Sequence, residues 1–118
     1  MYELSVAQEL YCKSRTRVDE LGAVELESVR VALGELSGIT PELLRAAWKF
    51  VTSESADENC RIEIELRAAR LVCPKCGAVP EAHPPAGYCE RCKCHMRVES
   101  GAGIELLGVR FQEELALS

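Results

Sequence analysis

Two pairs of closely spaced cysteines constrain this chain more than any other feature of its sequence. Cys73 and Cys76 form one C-x2-C pair, Cys89 and Cys92 form a second, and twelve residues separate the two pairs. Each C-x2-C turn lets two sulfurs reach one ion, and four thiolates make the tetrahedral ligand set that zinc prefers in structural sites. The spacing therefore predicts a structural zinc ion bound by these four cysteines, which leave no open position for catalysis.

Three further cysteines bring the total to seven in 118 residues. Cys94 and His95 follow the second pair directly, and three hypotheses stay open for them: exchange into the zinc site, weak binding of a second ion, or an exposed position at the end of the turn. The last is favoured because four ligands are already present. Cys12 and Cys60 are expected to be small packing residues, and His83 to face solvent in the loop between the pairs.

Hydrophobic periodicity predicts two helices before the cysteine region. Apolar residues with three-and-four spacing indicate an amphipathic helix from Glu3 to Leu21. The segment Thr40-Pro41-Glu42 is typical of a second helix start, because threonine can cap free N–H groups and proline suits the first helical position.

Alternating apolar residues predict three long strands, at 29–33, 60–66 and 104–112, the last with a bulge near Leu107-Gly108. We expect an α+β fold in which these strands form a three-stranded sheet with both helices packed on one face. The cysteine region is then an inserted zinc ribbon. The predicted boundaries are 1–70 plus 96–118 for the α/β domain and 71–95 for the zinc-ribbon domain.

Charge and hydropathy argue against several classes of partner. The formal net charge is −5, which does not suit a nucleic-acid binder. The cysteine region has five basic and two acidic side chains between Arg70 and Arg97, but four zinc-bound thiolates offset part of that excess, and Tyr88 is its one aromatic residue. No stretch approaches the ~20 apolar residues of a membrane span, and no secretory signal is recognisable, so we expect a cytoplasmic protein.

Six segments taken together resemble a known family over essentially the whole chain. In order they are MYELS at the start, VRVALGELSGI, PELLRAAWKFV, CRIEIEL, the four-cysteine region and GIELLGVRF. This order is similar to that of the hydrogenase nickel-incorporation proteins, the HypA and HybF family.

The resemblance implies a nickel metallochaperone and not an enzyme. Members of this family hand Ni(II), as cargo, to the maturing large subunit of [NiFe] hydrogenase, working with a GTPase partner, HypB, and in some organisms they serve urease. The resemblance further implies a nickel-binding α/β domain, a separate zinc domain and a chain that forms monomers or homodimers.

The family nickel motif is Met-His-Glu at the N-terminus, where an amine, backbone amides and an imidazole give the nitrogen-rich square-planar set that suits Ni(II). Met1 and Glu3 match this motif, whereas Tyr2 replaces the histidine. A phenol with a pKa of about 10 is a poor substitute for imidazole at neutral pH. Three hypotheses stay open: weak nickel binding by Met1, Tyr2 and Glu3; completion of the site by His95 or His83; or a scaffold without strong nickel binding.

Two other functions compete with the metallochaperone. One is a zinc-ribbon adaptor that binds a partner protein with weak or no nickel binding. The other is a small redox protein that uses its C-x2-C pairs. No Ser-His-Asp or Cys-His arrangement is apparent, and the two histidines of the chain offer few general acid–base groups.

Overall fold

The structure, a computed structural model, describes residues 2–22, 25–81 and 85–112. Its elements in chain order are α1 (Tyr2–Glu20), β1 (Glu25–Gly34), α2 (Pro41–Thr52), β2 (Arg61–Arg67), β3 (Arg70–Val72), β4 (Tyr88–Cys89), β5 (Cys94–His95), β6 (Arg97–Ser100) and β7 (Ile104–Gln112). The predicted order of two helices and three long strands is confirmed. No helix within the described ranges has the length and apolar character needed to cross a membrane.

The three long strands form one sheet in the order β2-β1-β7, with β1 parallel to β2 and antiparallel to β7. The predicted bulge is confirmed by the register of the second pair. Arg30 pairs with Gly108 whereas the next residue, Val31, pairs with Leu106, so Leu107 is the extra residue on β7.

The core lies between one face of this sheet and the two helices. Val29, Val31 and Leu33 alternate along the central strand β1 and are almost fully buried. They pack with apolar side chains of both helices and of the neighbouring strands, among them Ala7, Leu10, Val18, Leu44, Ala47, Trp48, Ile62, Ile64, Leu106 and Val109. The apolar residues that alternate along the strands and those spaced by three and four along the helices thus face one common core.

The two isolated cysteines behave differently. Cys60 is buried in the core, as predicted, and its carbonyl oxygen accepts a hydrogen bond from Trp48 Nε1 at 3.1 Å. The packing prediction for Cys12 is wrong, because its side chain is exposed. The buried residues of α1 include Leu10 and Ser14, and a residue two positions after Leu10 lies on the opposite side of the helix.

A buried carboxylate ties α1, β1 and the loop after α2 together. Asp57, which is 2% exposed, accepts hydrogen bonds from the Tyr11 hydroxyl at 2.7 Å and from the backbone N–H of Leu26 at 3.1 Å. Arg15 Nη1 lies 3.2 Å from the same carboxylate. The charge is therefore paired and hydrogen-bonded, which is the condition for burying it.

The cysteine region joins the sheet through a two-stranded stem and a close backbone contact. Strands β3 and β6 pair antiparallel, so the predicted boundaries at 71 and 95 fall within or beside this stem. Beside it, the Gly34 N–H donates to the Gly103 oxygen and the Leu36 N–H to the Gly101 oxygen, both at 2.9 Å. The Ala69 N–H donates to Glu35 Oε1 at 2.8 Å. These bonds attach the stem to the end of β1.

We expect the Gly101→Ala substitution to lower the free energy of unfolding by about 3 kcal/mol, since it combines backbone strain with a steric clash. Gly101 has a φ of +88°, and a Cβ at this position lies only 2.5 Å from the Ala69 Cα. Gly38→Ala is the matched control, because Gly38 has a similar φ of +83° but open space around it. That control should cost about 1 kcal/mol in urea unfolding. Equal losses in the two variants would show that the close contact has no energetic role.

Candidate metal centre

The first C-x2-C pair is a tight turn closed by its own backbone. The Gly77 N–H donates to the Cys73 oxygen and the Cys73 N–H donates to the Ala78 oxygen, both at 2.9 Å. Gly77 has a φ of +75°, a conformation that glycine adopts without steric cost. This turn directs the side chains of Cys73 and Cys76 to the same side.

The second pair is part of a short hairpin. Strand β4 pairs with β5 so that Cys89 lies opposite Cys94 and Tyr88 lies opposite His95. Lys93 directly follows Cys92, just as Gly77 directly follows Cys76. Lys93 also has a positive φ, of 52°. The two turns are therefore alike in backbone conformation, although one uses a lysine at the position where the other has glycine.

The two turns bring four sulfurs together in an arrangement that can hold a metal ion. The Sγ atoms of Cys73, Cys76, Cys89 and Cys92 all lie within 4.8 Å of one another, and those of Cys76 and Cys89 are 3.8 Å apart. Zinc–sulfur bonds of about 2.3 Å in a tetrahedron place the sulfurs about 3.8 Å apart. The thiols predicted from the spacing are thus those that the fold collects, and their separations fit a tetrahedral zinc ion.

The four thiols differ in exposure and in acidity. Cys73 and Cys89 are buried, Cys92 is half-buried and Cys76 is exposed. Hydrogen bonds from the backbone N–H groups of Cys76 and Lys75 lower the pKa of the Cys73 thiol to about 6. Hydrogen bonding with Cys76, together with desolvation, raises the pKa of Cys92 to about 12. A metal ion must therefore displace protons from the less acidic thiols when it binds.

The residues that follow the second pair separate into one exposed side chain and one that contacts the site. His95 is exposed, as expected, and its ring lies edge-on to Tyr88 with centroids 5.6 Å apart. The expected exposed position is wrong for Cys94, which is half-buried with its Sγ 3.8 Å from Cys73 Sγ. Directly opposite residues of an antiparallel pair point to the same face, so pairing with Cys89 turns Cys94 toward the other thiols.

Two residues of the predicted nickel motif, Tyr2 and Glu3, lie at the beginning of α1. Tyr2 is exposed and Glu3 is partly buried in the first turn, whereas Met1 lies outside the described residues, as does His83. Tyr2 borders a groove of about 380 Å³ between α1 and β7, lined also by Val6 and Leu106. Tyr2 and Glu3 thus lie in the first turn of α1, and Tyr2 borders an open groove.

Fold and site together define the chain as a small α+β protein that carries an inserted four-thiol metal ribbon. A model of the family described as hydrogenase/urease nickel incorporation, metallochaperone, hypA matches residues 1–111. The chain belongs to the HypA family, whose members are metallochaperones rather than enzymes.

Relatives and solved structures agree with this assignment. The chain is 31% identical to the hydrogenase maturation factor HypA of Nitrosospira multiformis over 94% of this chain and 97% of that protein. It is 27% identical to the protein of the same name from Chlorobium limicola, over 96% and 98% of the two chains. The solution structure of the Ni metallochaperone HypA from Helicobacter pylori has a TM-score of 0.69 and 26% identity, over 95% of this chain and 98% of that one.

Proposed function

We propose that this protein delivers Ni(II), as cargo, during maturation of [NiFe] hydrogenase while Cys73, Cys76, Cys89 and Cys92 hold a structural zinc ion. The observation that carries the proposal is the family match over residues 1–111, which includes both the N-terminal motif and the four-thiol ribbon. The two metals go to different sites because their preferred ligands differ. Zinc suits four thiolates in a tetrahedron, and Ni(II) suits a planar set of nitrogens.

The beginning of α1 supports a nickel site made of backbone nitrogens. The first four N–H groups of a helix have no acceptor within the helix, and those of Tyr2 and Glu3 belong to this set. Nickel can therefore replace their protons without breaking a helical hydrogen bond. Together with the Met1 amine and the Glu3 carboxylate, these nitrogens form the proposed site. The Tyr2 phenol is not one of its ligands, because a phenol is a poor substitute for imidazole at neutral pH.

The proposed partners follow from the hydrogenase-maturation family. They are the GTPase HypB, with which family members work, and the hydrogenase large subunit, which receives the metal; urease is a second client to test. We propose the cytoplasm as the compartment and no nucleic acid as a partner, in line with a net charge of −5.

Replacing Tyr2 by histidine should strengthen nickel binding by about 100-fold. This figure assumes that one ligand contributes a quarter of the metal-binding free energy of a four-ligand site. Isothermal titration calorimetry of untagged chains that begin at Met1 measures this difference. Tyr2→Phe is the matched control, since it keeps the ring and removes only the hydroxyl; it should bind nickel as the unmodified chain does. Equal affinities in Tyr2→His and Tyr2→Phe would contradict the proposed site.

One observation favours a second candidate function. Because Tyr2 stands where the family motif has histidine, the chain can serve as a zinc-ribbon adaptor that binds a maturation partner without carrying nickel. An adaptor associates equally well with HypB in the presence and absence of nickel and gives no heat on nickel titration. A metallochaperone binds nickel and loses it when the hydrogenase large subunit is added.

A further inference from the structure

Cys94 gives the metal centre a fifth thiol that a four-coordinate ion does not use. Its Sγ lies 3.8 Å from that of Cys73, about the separation of two thiolates bound to one tetrahedral zinc ion. It is not one of the four sulfurs that all lie within 4.8 Å of one another. Cys94 therefore lies beside the corner of the tetrahedron that Cys73 fills, and not at a corner of its own.

A comparison of the two C-x2-C turns shows that this thiol is an addition to the site. Gly77 and Lys93 occupy equivalent positions with positive φ, so the residues after them, Ala78 and Cys94, are also equivalent. The first turn thus places a methyl group where the second places a thiol. Among the described residues, Cys73 is the ligand with which Cys94 makes a hydrogen-bonding contact.

We propose that Cys94 is a reserve zinc ligand that can take the place of Cys73, so that the ion is then held by Cys76, Cys89, Cys92 and Cys94. In the exchange the Cys94 thiol gives its proton to solvent and forms a zinc–sulfur bond. The bond from zinc to Cys73 breaks and that thiolate takes up a proton from solvent. Coordination number, total charge and oxidation states are unchanged. This exchange rests on the zinc site proposed above.

The exchange predicts that the other ligands are less replaceable than Cys73. Cys94 makes its 3.8 Å sulfur–sulfur contact with Cys73, whereas Cys76 makes its 3.8 Å contact with Cys89, which already belongs to the set of four. Loss of Cys76 therefore leaves three thiolates, while Cys94 lies beside a different corner, that of Cys73. Loss of Cys73 leaves Cys94 next to that corner.

Cobalt titrations of the full chain and four variants test the proposal. Co(II) reports the number of bound thiolates through its sulfur-to-metal charge-transfer absorption. We expect Cys73→Ser to bind one Co(II) with a four-thiolate spectrum, and Cys94→Ser to resemble the unmodified chain. The double variant Cys73→Ser/Cys94→Ser and the matched control Cys76→Ser should bind about 100-fold more weakly than the unmodified chain, with three-thiolate spectra. Trp48 fluorescence checks that the α/β core, where this residue is buried, stays folded in each variant.

The same proposal can be tested without a substitution. The zinc-loaded chain is partly alkylated with iodoacetamide, and native mass spectrometry with peptide mapping identifies which singly modified molecules retain zinc. Molecules modified at Cys73 should retain it, whereas molecules modified at Cys76 should lose it. Zinc loss after alkylation of Cys73, or identical cobalt binding by Cys73→Ser and the double variant, overturns the reserve role of Cys94. An unmodified chain that binds neither metal overturns the zinc site itself.

Discussion

We expect the Cys92→Ser variant to lose its zinc and the structure of the ribbon while the α/β domain stays folded. The ribbon has little to hold it together without metal, since its strand pairs, β3–β6 and β4–β5, contain only two to four residues per strand. Structural zinc contributes about 10–16 kcal/mol of binding free energy in small metal-dependent domains, so removing one of four ligands should weaken binding by about 100-fold or more. Dialysis against a mild chelator should then remove zinc from the variant and not from the unmodified chain. Metal analysis and the amide NMR spectrum measure the two effects.

Cys12→Ser is the control for this experiment because Cys12 is exposed on α1, outside the metal centre. It should keep one zinc ion per chain and all ribbon signals. The ribbon prediction fails if Cys92→Ser retains full zinc stoichiometry and native ribbon signals. It also fails if a chelator removes zinc from the unmodified chain without changing those signals.

The second large effect is expected at Asp57. We predict that Asp57→Ala lowers the free energy of unfolding by about 3–5 kcal/mol, the cost of breaking a buried ion pair by removing one partner. The substitution leaves the Leu26 N–H without its acceptor and takes from Arg15 and Tyr11 a shared partner. Urea unfolding followed by Trp48 fluorescence measures the loss, because Trp48 is buried in the same domain.

Asp19→Ala is the control for Asp57→Ala, because it removes an exposed carboxylate partner of Arg15 in place of a buried one. Asp19 pairs with the same Arg15, at 2.6 Å, but its side chain is 63% exposed. Exposed pairs contribute about 1 kcal/mol or less, so this variant should be close to the unmodified chain in stability. Similar losses from Asp57→Ala and Asp19→Ala would mean that the buried network around Asp57 does not hold α1, β1 and the loop together.

The sequence predicts the helices and strands because each of their patterns depends on residues that are close together in the chain. The C-x2-C spacing, the start of α2 at Thr40-Pro41 and the bulge at Leu107 all depend on a few consecutive residues. In α2, Thr40 accepts the hydrogen bond of the Leu43 N–H at 3.2 Å, as a capping residue should. Such features are encoded locally, and the structure shows them where the sequence indicated them.

Contacts between distant segments could not be predicted in the same way. Asp57 lies in a polar stretch, 52–59, that is typical of a solvated loop, and its buried role depends on α1 and β1. Gly101 needs its glycine because of Ala69, 32 positions earlier. Cys94 faces Cys73 only because β4 pairs with β5 in one particular register. The C-x2-C spacing assigns no role to Cys94, whereas the pairing of β4 with β5 brings its sulfur into contact with Cys73.

The proposed function requires one chain to bind two metals, zinc on the ribbon and nickel at the beginning of α1. The most direct test is a calorimetric nickel titration of the zinc-loaded, untagged chain beginning at Met1, before and after acetylation of the Met1 amine. The predicted result is one nickel per chain with a dissociation constant on the order of 1 μM or tighter, weakened by acetylation, while the zinc content stays at one. The contradictory result is no nickel binding, or nickel binding that acetylation leaves unchanged.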